Sequence, residues 1–298
     1  MKGVIRGLYL MIFCQVVLES LPISSSGHLV LLEKILQSFG KSPTVADLPD
    51  FFDHFLHGPT ILVLLLFFRK EWFELFKFLF KNFSFSADSW TDSYKKLLRV
   101  FFKICSFIFI TTAITVFSYF IFPAVAKALA DKWNLKQFDF FKSEIFMLLN
   151  FAITAILLFS LYFISKKNLI KNLDYKKVII LGIIQSISFL PGISRFGSTY
   201  VASRWMGVSV RRSFQFTFLM QFPLIVAAFS SASFKLLFDT KSLMRLFNFK
   251  VGITFFIATI LAYLTLYLSY YLAKKQKLWY LGFYMLLPLA LLIYFIIF

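Results

Sequence analysis

Apolar residues in this chain are grouped into long runs that short, charged loops separate. A helix needs roughly 20 apolar residues to cross a bilayer, and six runs reach or approach that length. They lie at about 52–69, 98–122, 144–165, 213–233, 251–273 and 279–298. The pattern predicts an all-α polytopic membrane protein with six transmembrane helices, and one membrane domain that covers residues 1–298.

Two further apolar segments are too short to cross the bilayer, and polar residues interrupt each of them. Their apolar arms lie at 4–18 and 28–39 around a gap at 22–27, and at 178–190 and 200–207 around a gap at 191–199. Irregular backbone that faces lipid is not tolerated inside a membrane. We therefore predict two re-entrant helix–loop–helix hairpins. A kinked spanning helix is the alternative, but both gaps are long for a kink.

The two interrupted segments resemble each other at a fixed offset of 170 residues. Glutamine, isoleucine, serine and glycine recur in register: Gln15 with Gln185, Ile23 with Ile193, Ser24 with Ser194 and Gly27 with Gly197. Paired interrupted segments in two halves of a membrane protein are typical of inverted repeats around a working site. We expect inverted-topology repeats at about 1–122 and 144–273, a final helix at 279–298, and two hairpins that meet near the midplane.

Composition supports membrane insertion and argues against nucleic-acid binding. Hydrophobic residues make up 59% of the chain and charged residues 15%, which a soluble domain of this length does not match. A net charge of +18 would suggest nucleic acid in a soluble protein. Here the basic residues lie in loops between apolar runs, where they set topology and contact anionic lipids. We expect membrane lipids, and no nucleic acid, as partners.

The loops also predict an orientation. With two re-entrant hairpins, one side of the membrane carries 17 Lys and Arg residues in its loops and the other carries 12. The richer side is expected to be cytoplasmic. Both termini then lie outside, the first hairpin enters from outside, and the second enters from the cytoplasm.

The two gaps together carry the chemistry of a phosphate site. Helix ends and glycines expose backbone N–H groups that bind phosphate, and arginine offers a planar fork that matches phosphate oxygens. The candidates are Gln15, Glu19, Ser24, Ser25, Ser26, Gly27 and His28, together with Gln185, Ser194, Arg195, Gly197, Ser198 and Thr199. Alternatively, the two charges only neutralise each other, the serines only cap helices, His28 is a structural imidazole, and the glutamines only join helices.

Two residues outside the gaps are also open to interpretation. His57 begins a predicted span and either supports the site or faces water, and Arg204 is interpreted as a surface or lipid head-group contact.

The residues of the gaps resemble the signature motifs of a known family. Residues 19–28 read Glu-Ser-Leu-Pro-Ile-Ser-Ser-Ser-Gly-His, and residues 191–199 read Pro-Gly-Ile-Ser-Arg-Phe-Gly-Ser-Thr. Both resemble the motifs of bacterial undecaprenyl-diphosphate phosphatases of the bacitracin-resistance type. Residues 53–58 and 207–219 resemble further segments of that family, and the similarity runs from about residue 3 to the C-terminus.

The resemblance implies an enzyme that hydrolyses undecaprenyl diphosphate to undecaprenyl phosphate and inorganic phosphate, which recycles the carrier lipid of cell-wall synthesis and confers bacitracin resistance. It implies catalytic roles for Glu19, Ser25, His28 and Arg195, a metal role for Glu19 with Mg²⁺ or Ca²⁺, and substrate binding by the remaining candidates, His57 included. It also implies a bacterial plasma-membrane location and a homodimer. The first hairpin, which enters from outside, favours an active site that opens to the periplasmic side.

Two positions depart from the family pattern. Gln15 stands where some members carry Glu, which leaves one carboxylate for the metal, and Phe196 replaces a small hydroxyl residue.

Three questions stay open at this point. A transporter of a polyprenyl phosphate could be built around the same midplane site. A lipid phosphatase of the acid-phosphatase type needs a histidine downstream of its Ser-Arg pair, and the sequence has none after Arg195. Either Ser25 or a water molecule can act as the nucleophile.

Overall fold

The computed structural model describes residues 2–38, 52–81, 92–133, 144–164, 172–239 and 249–297, and their regular structure is helical. The α-helices are α1 (Lys2–Leu18), α2 (Ser25–Ser38), α3 (Phe52–Phe55), α4 (His57–Phe67), α5 (Arg69–Lys81), α6 (Asp92–Trp133), α7 (Glu144–Ser160), α8 (Tyr175–Ile187), α9 (Arg195–Trp205), α10 (Val210–Phe238), α11 (Phe249–Lys274), α12 (Leu281–Tyr284) and α13 (Leu286–Ile297). Short 3₁₀ turns lie at Leu161–Phe163 and Leu278–Tyr280.

Five helical segments are long and apolar enough to cross a membrane. They are Leu98–Phe122, Glu144–Phe163, Val210–Phe238, Phe249–Lys274 and Leu278–Ile297, and each coincides with a predicted span. Large apolar side chains such as Phe109, Phe117 and Phe256 are about two-thirds or more exposed, as expected of faces that contact lipid. The prediction of an all-helical polytopic membrane protein is confirmed at this level.

The span predicted at 52–69 is divided into two helices. α3 ends at Phe55, and α4 begins at His57 and is 11 residues long. Pro59 explains the division, because its ring would clash with the carbonyl group of Phe55 in a continuous helix, whereas proline is tolerated in a first turn. The count of six spans therefore stays a prediction, since this segment falls short of the length of the other five.

The helix predicted at 98–122 is longer than expected. α6 begins at Asp92 and continues through Pro123 to Trp133, so helix extends beyond the predicted span on both sides. Residues 134–143 lie outside the described residues.

Both interrupted segments are helix–break–helix units, as predicted. α1 and α2 flank a break at 19–24, and α8 and α9 flank a break at 188–194. α1 packs against α11 and α2 against α13, whereas α8 packs against α6 and α9 against α7. The first helix of each unit therefore packs against a long helix of the other predicted half: α1 against α11, and α8 against α6.

Candidate active site

The first break turns the chain at Ser24. This residue has a φ of +66°, a left-handed conformation that side chains rarely adopt. Its hydroxyl oxygen accepts a hydrogen bond from the backbone N–H of Gly27 at 3.4 Å, which caps the start of α2. Ser24 is therefore the last residue of the break between α1 and α2, and it caps α2.

The second break repeats this arrangement. The hydroxyl oxygen of Ser194 accepts from the backbone N–H of Gly197 at 3.0 Å and caps α9. Gly192, within the break, has a φ of +96°. A Cβ atom at Gly192 would lie 2.8 Å from Cβ of Asn150, so only glycine fits this position.

The two breaks are in direct contact, and the contact is reciprocal. A Cβ atom at Gly27 would lie 2.7 Å from the backbone nitrogen of Gly192, and one at Gly197 would lie 2.9 Å from the carbonyl oxygen of Pro22. At the offset of 170, Gly192 corresponds to position 22 and Gly197 to position 27. Pro22 thus contacts Gly197, and Gly192, the equivalent of Pro22, contacts Gly27, the equivalent of Gly197. Such reciprocal contacts are the pattern of two elements related by a two-fold axis.

A hydrogen bond joins the two breaks at the same place. The hydroxyl oxygen of Ser24 also accepts from the backbone N–H of Gly192 at 3.1 Å. One serine therefore caps its own helix and satisfies a buried donor of the other break, because a hydroxyl oxygen has two acceptor sites.

Glu19 lies at the start of the first break and is held by α4. Its carboxylate accepts hydrogen bonds from Nδ1 of His57 at 2.8–2.9 Å and from the hydroxyl of Thr60 at 2.8 Å. The Glu19 side chain is 12% exposed and the His57 side chain 15%. His57 therefore contacts the predicted site through Glu19, and its own predicted role in substrate binding stays a prediction.

Arg195 is the first residue of α9, and its charge interacts with that of Glu19. Its guanidinium carbon lies 5.4 Å from the ring centre of Phe189. Within the described residues, Arg195 forms no ion pair closer than 4 Å, and its buried Nε has no hydrogen-bond partner. The guanidinium therefore has donors available for an anionic ligand.

The imidazole of His28 is buried and fixed in orientation. Its Nδ1 lies 2.7 Å from the carbonyl oxygen of Ser24, and its ring lies between those of Phe151 and Tyr284. A carbonyl oxygen can only accept, so Nδ1 carries the hydrogen and Nε2 is the free base nitrogen of the neutral ring. Nε2 is buried and has no partner among the described residues.

The remaining candidates fall into two groups. Ser25 and Ser26 lie at the start of α2, and their hydroxyls form no hydrogen bond with any described residue. The hydroxyls of Ser198 and Thr199 instead donate to the carbonyl oxygen of Arg195 within α9. Only the first pair is left with unbonded hydroxyls that could contact a substrate.

The two glutamines both have a buried amide oxygen without a partner among the described residues, and they differ in the bonds of the amide nitrogen. The amide nitrogen of Gln185 donates to the hydroxyl of Thr115 at 3.0 Å, and the residue is fully buried, a contact that joins α8 to α6. The amide oxygen of Gln15 is buried and has no partner among the described residues. Gln15 precedes Glu19 by one helical turn, so its oxygen is an available ligand beside that carboxylate.

Three supporting residues were not predicted from the sequence. Thr60 bonds Glu19, while Asn150 and Thr154 of α7 hold the second break. The amide nitrogen of Asn150 donates to the carbonyl oxygen of Pro191 at 2.8 Å. The hydroxyl of Thr154 donates to the carbonyl oxygen of Gly192 and accepts from the N–H of Ser194. A lone polar residue in an apolar span was the only signal that the sequence offered.

The protein ligands available for a cation are few. No group of three or more His, Cys, Asp or Glu side chains that could hold a metal occurs in the described part of the chain. Mg²⁺ is commonly held by one or two protein oxygens with substrate phosphates and water. The carboxylate of Glu19 and the unpartnered oxygen of Gln15 fit that mode.

Comparison with known proteins gives one consistent family. Residues 10–291 match the family described as bacitracin resistance protein BacA. An undecaprenyl-diphosphatase of Borrelia recurrentis is 32% identical over 288 residues, which cover 96% of both chains. One from Borrelia hermsii is 31% identical over 99% of this chain and 100% of its own, and one from Treponema denticola is 32% identical over 93% of this chain and 92% of its own. The chain is therefore a multi-pass membrane protein that belongs to the bacitracin resistance protein BacA family.

Proposed function

We propose that this protein is an undecaprenyl-diphosphatase, which hydrolyses undecaprenyl diphosphate to undecaprenyl phosphate and inorganic phosphate. Its similarity to proteins of that name supports the proposal. The observation that carries it is the direct contact of two polar breaks, which combines Glu19 and His28 of the first with Arg195 of the second. An anion-binding cation, a carboxylate and a free imidazole nitrogen are the parts that diphosphate cleavage needs.

In the membrane, the two units are re-entrant hairpins of an inverted repeat that enter from opposite sides. The reciprocal contacts of positions 22 and 27 with their counterparts support this topology, as does the exchanged packing of α1 on α11 and α8 on α6. Opposed helix–break–helix units place their capped helix starts at the same depth, which creates one site from two halves.

The diphosphate is bound between the two helix starts. The first N–H groups of α2 and α9 have no partner inside their helices and point toward the break side. Arg195 adds a planar guanidinium that can bond two phosphate oxygens at once. The lipid chain extends between apolar helix faces, where it is compatible with the exposed phenylalanines.

Cleavage replaces one oxygen on the terminal phosphorus. The attacking oxygen, from Ser25 or from water, forms a new P–O bond as the bond to the bridging oxygen breaks and the lipid monophosphate leaves. Nε2 of His28 accepts the proton of the nucleophile, since Nδ1 is already bonded to Ser24. If Ser25 attacks, a water molecule then hydrolyses the phosphoserine. Arg195 and the helix N–H groups balance the charge that spreads over the terminal phosphoryl oxygens.

Glu19 and Gln15 would hold a divalent cation such as Mg²⁺ or Ca²⁺. When bound, the cation supplies positive charge to the diphosphate oxygens. His57 and Thr60 fix the carboxylate of Glu19 in position for this role.

The setting of the enzyme is a bacterial plasma membrane, with the site open to the periplasmic side. The asymmetry of Lys and Arg between the two sides supports this orientation. A homodimer is compatible with the apolar outer faces. We prefer the hypothesis of a phosphatase to that of a polyprenyl-phosphate transporter, because the related proteins are named as diphosphatases.

Phosphate release by the purified protein tests the proposal. Wild-type protein in detergent should release one phosphate per undecaprenyl diphosphate, and a chelator of divalent cations should stop the reaction. Arg195→Ala should lower turnover at least about 100-fold, since it removes the fork that binds the transition state. Arg99→Ala is the matched control, because Arg99 is exposed on α6 and should keep wild-type turnover. Normal turnover in Arg195→Ala, or no phosphate release by wild type, would refute the proposal.

A further inference from the structure

Arg204 is a buried cation that the proposed chemistry does not use. It is 7% exposed and lies in the last turn of α9. Arg195 and Arg204 are nine residues apart, which places them about 14 Å apart along the helix and on opposite faces. Arg204 therefore faces away from the breaks and has no part in the site between them.

The side chain of Arg204 is only partly satisfied within the protein. One guanidinium nitrogen donates to the carbonyl oxygen of Val208, a bond that caps the helix end. A guanidinium has five N–H donors, and no ion pair of Arg204 occurs among the described residues. A buried positive charge without a carboxylate partner is costly, so an anion from outside the chain would stabilise it.

A cavity lies beside this arginine. It has a volume of about 260 Å³ including its open mouth, and it is lined by Leu161, Ile164, Tyr200, Arg204, Gln276 and Leu278. None of these lining residues is acidic. Tyr200 precedes Arg204 by one helical turn, so its hydroxyl and the guanidinium lie on the same face of α9.

The mouth of the cavity has the composition of a membrane interface. Trp205, Tyr162 and Tyr280 are exposed, and each lies within two residues of a lining residue in the sequence. The ring of Tyr162 lies 5.1 Å from that of Trp279. Aromatic residues of this kind are enriched at the level of lipid head groups. Lys274, Lys275 and Lys277 are exposed on the adjoining loop, and such clusters attract anionic lipids.

We propose that this cavity is a second anion site, which binds the phosphate group of an anionic membrane lipid through Arg204 and Tyr200. The inference does not depend on the proposed catalytic activity. The phosphate accepts from the free guanidinium donors and the tyrosine hydroxyl, and the acyl chains extend into the bilayer along the neighbouring helices. A lipid bound there would hold the ends of α7 and α9 against the loop at Gln276.

Titration of the purified full-length protein tests this site. Short-chain phosphatidylglycerol is added in a nonionic detergent, and tryptophan fluorescence is followed, since Trp205 and Trp279 lie near the cavity. The wild type should show a saturable change. Arg204→Gln should weaken binding about tenfold or more, whereas Arg99→Gln should change the affinity by less than about threefold, because Arg99 is exposed on α6 and does not line the cavity.

Two further ligands identify the source of the phosphate. A diacylglycerol with the same chains lacks the phosphate and should not saturate the signal. Inorganic phosphate alone should bind much more weakly than the lipid; saturation at equal concentration would overturn the assignment to a lipid. Equal lipid affinity in wild type and Arg204→Gln would overturn the site itself.

Two milder variants test the site even if Arg204→Gln does not fold. Arg204→Lys keeps the charge but loses the fork, and Tyr200→Phe keeps the ring but loses the hydroxyl. Each should weaken phosphatidylglycerol binding several-fold, with helical circular dichroism unchanged. Wild-type affinity in both variants would contradict the proposal even if Arg204→Gln could not be purified.

Discussion

Replacing Gly27 with alanine adds one methyl group at the contact between the two breaks. The new Cβ atom would lie 2.7 and 2.8 Å from the backbone nitrogen and Cα of Gly192, and 2.8 Å from Cζ of Phe151. Two of these three neighbours are backbone atoms, so no side-chain rotation can relieve them. Gly192 is also held by hydrogen bonds to Ser24 and Thr154.

The size of the effect follows from these distances. Ordinary contacts of a Cβ atom begin at about 3.4 Å, so the two breaks must separate by about 0.7 Å. Overpacking of this kind costs about 1–3 kcal/mol of stability. Because a displacement of about 1 Å in an active site can cost about 100-fold in rate, turnover should fall about 10- to 100-fold.

Phosphate release and thermal unfolding in detergent measure the two effects. Gly252→Ala is the matched control, because a Cβ atom at Gly252 in α11 has no neighbour within 4 Å. That variant should keep wild-type turnover and gain about 0.5–1 kcal/mol from the helix preference of alanine. Gly197→Ala, at the reciprocal contact with the carbonyl oxygen of Pro22, should resemble Gly27→Ala. Wild-type turnover in both Gly27→Ala and Gly197→Ala would show that catalysis does not need the close contact between the breaks.

Three further predictions concern the supporting residues and the chemistry. Thr60→Val and Thr154→Val each remove a hydroxyl that bonds a break. Each should lower turnover and should cost about 1–3 kcal/mol of stability, because a buried group is left unpaired. Thr112→Val is the control, since the Thr112 hydroxyl has no partner in the described structure and its loss should leave turnover unchanged; equal effects in all three variants would contradict the assigned contacts. Gln15→Glu adds a carboxylate one turn from Glu19 and should lower the Mg²⁺ concentration for half-maximal turnover several-fold; an unchanged Mg²⁺ dependence would argue against a cation at this position. Rapid quenching with substrate labelled in its terminal phosphate should trap a phosphoserine if Ser25 attacks, whereas Ser25→Ala with near-normal turnover would assign the attack to water.

The sequence alone predicts that the two breaks contact each other, but it does not predict which residues of other helices hold them in place. Ser24 and Ser194 are in register at the offset of 170, each followed three residues later by a glycine, so the serine caps and the contact between units could be predicted. The proline at position 22 and the glycine at 192 fill equivalent places. Only the structure reveals that both contact the glycine of the other unit.

Single hydroxyls in apolar helices carry too little information to predict their partners. The hydroxyl of Thr259 donates to the carbonyl oxygen of Phe255 in its own helix, whereas that of Thr154 reaches a different segment. Both are threonines in a long apolar run, and threonine readily bonds its own helix. The difference depends on which helix packs alongside, and tertiary packing is not encoded in local spacing.

The division of the span predicted at 52–69 into two helices was also not predicted from the sequence. Its hydropathy favours one helix, but Pro59 divides it into α3 and α4. The division places His57 and Thr60 in the first turn of α4, where both bond Glu19. A proline near the start of an apolar run was the available signal, because it disfavours a helix that continues upstream.

An experimental structure with a methylene-bridged, non-hydrolysable analogue of undecaprenyl diphosphate would show whether both breaks bind one diphosphate. We expect phosphonate density between the breaks, with oxygens about 3 Å from the guanidinium of Arg195 and from the backbone N–H groups at the start of α2. Density that contacts only one break, or that lies away from both, would show that the two breaks do not form one site.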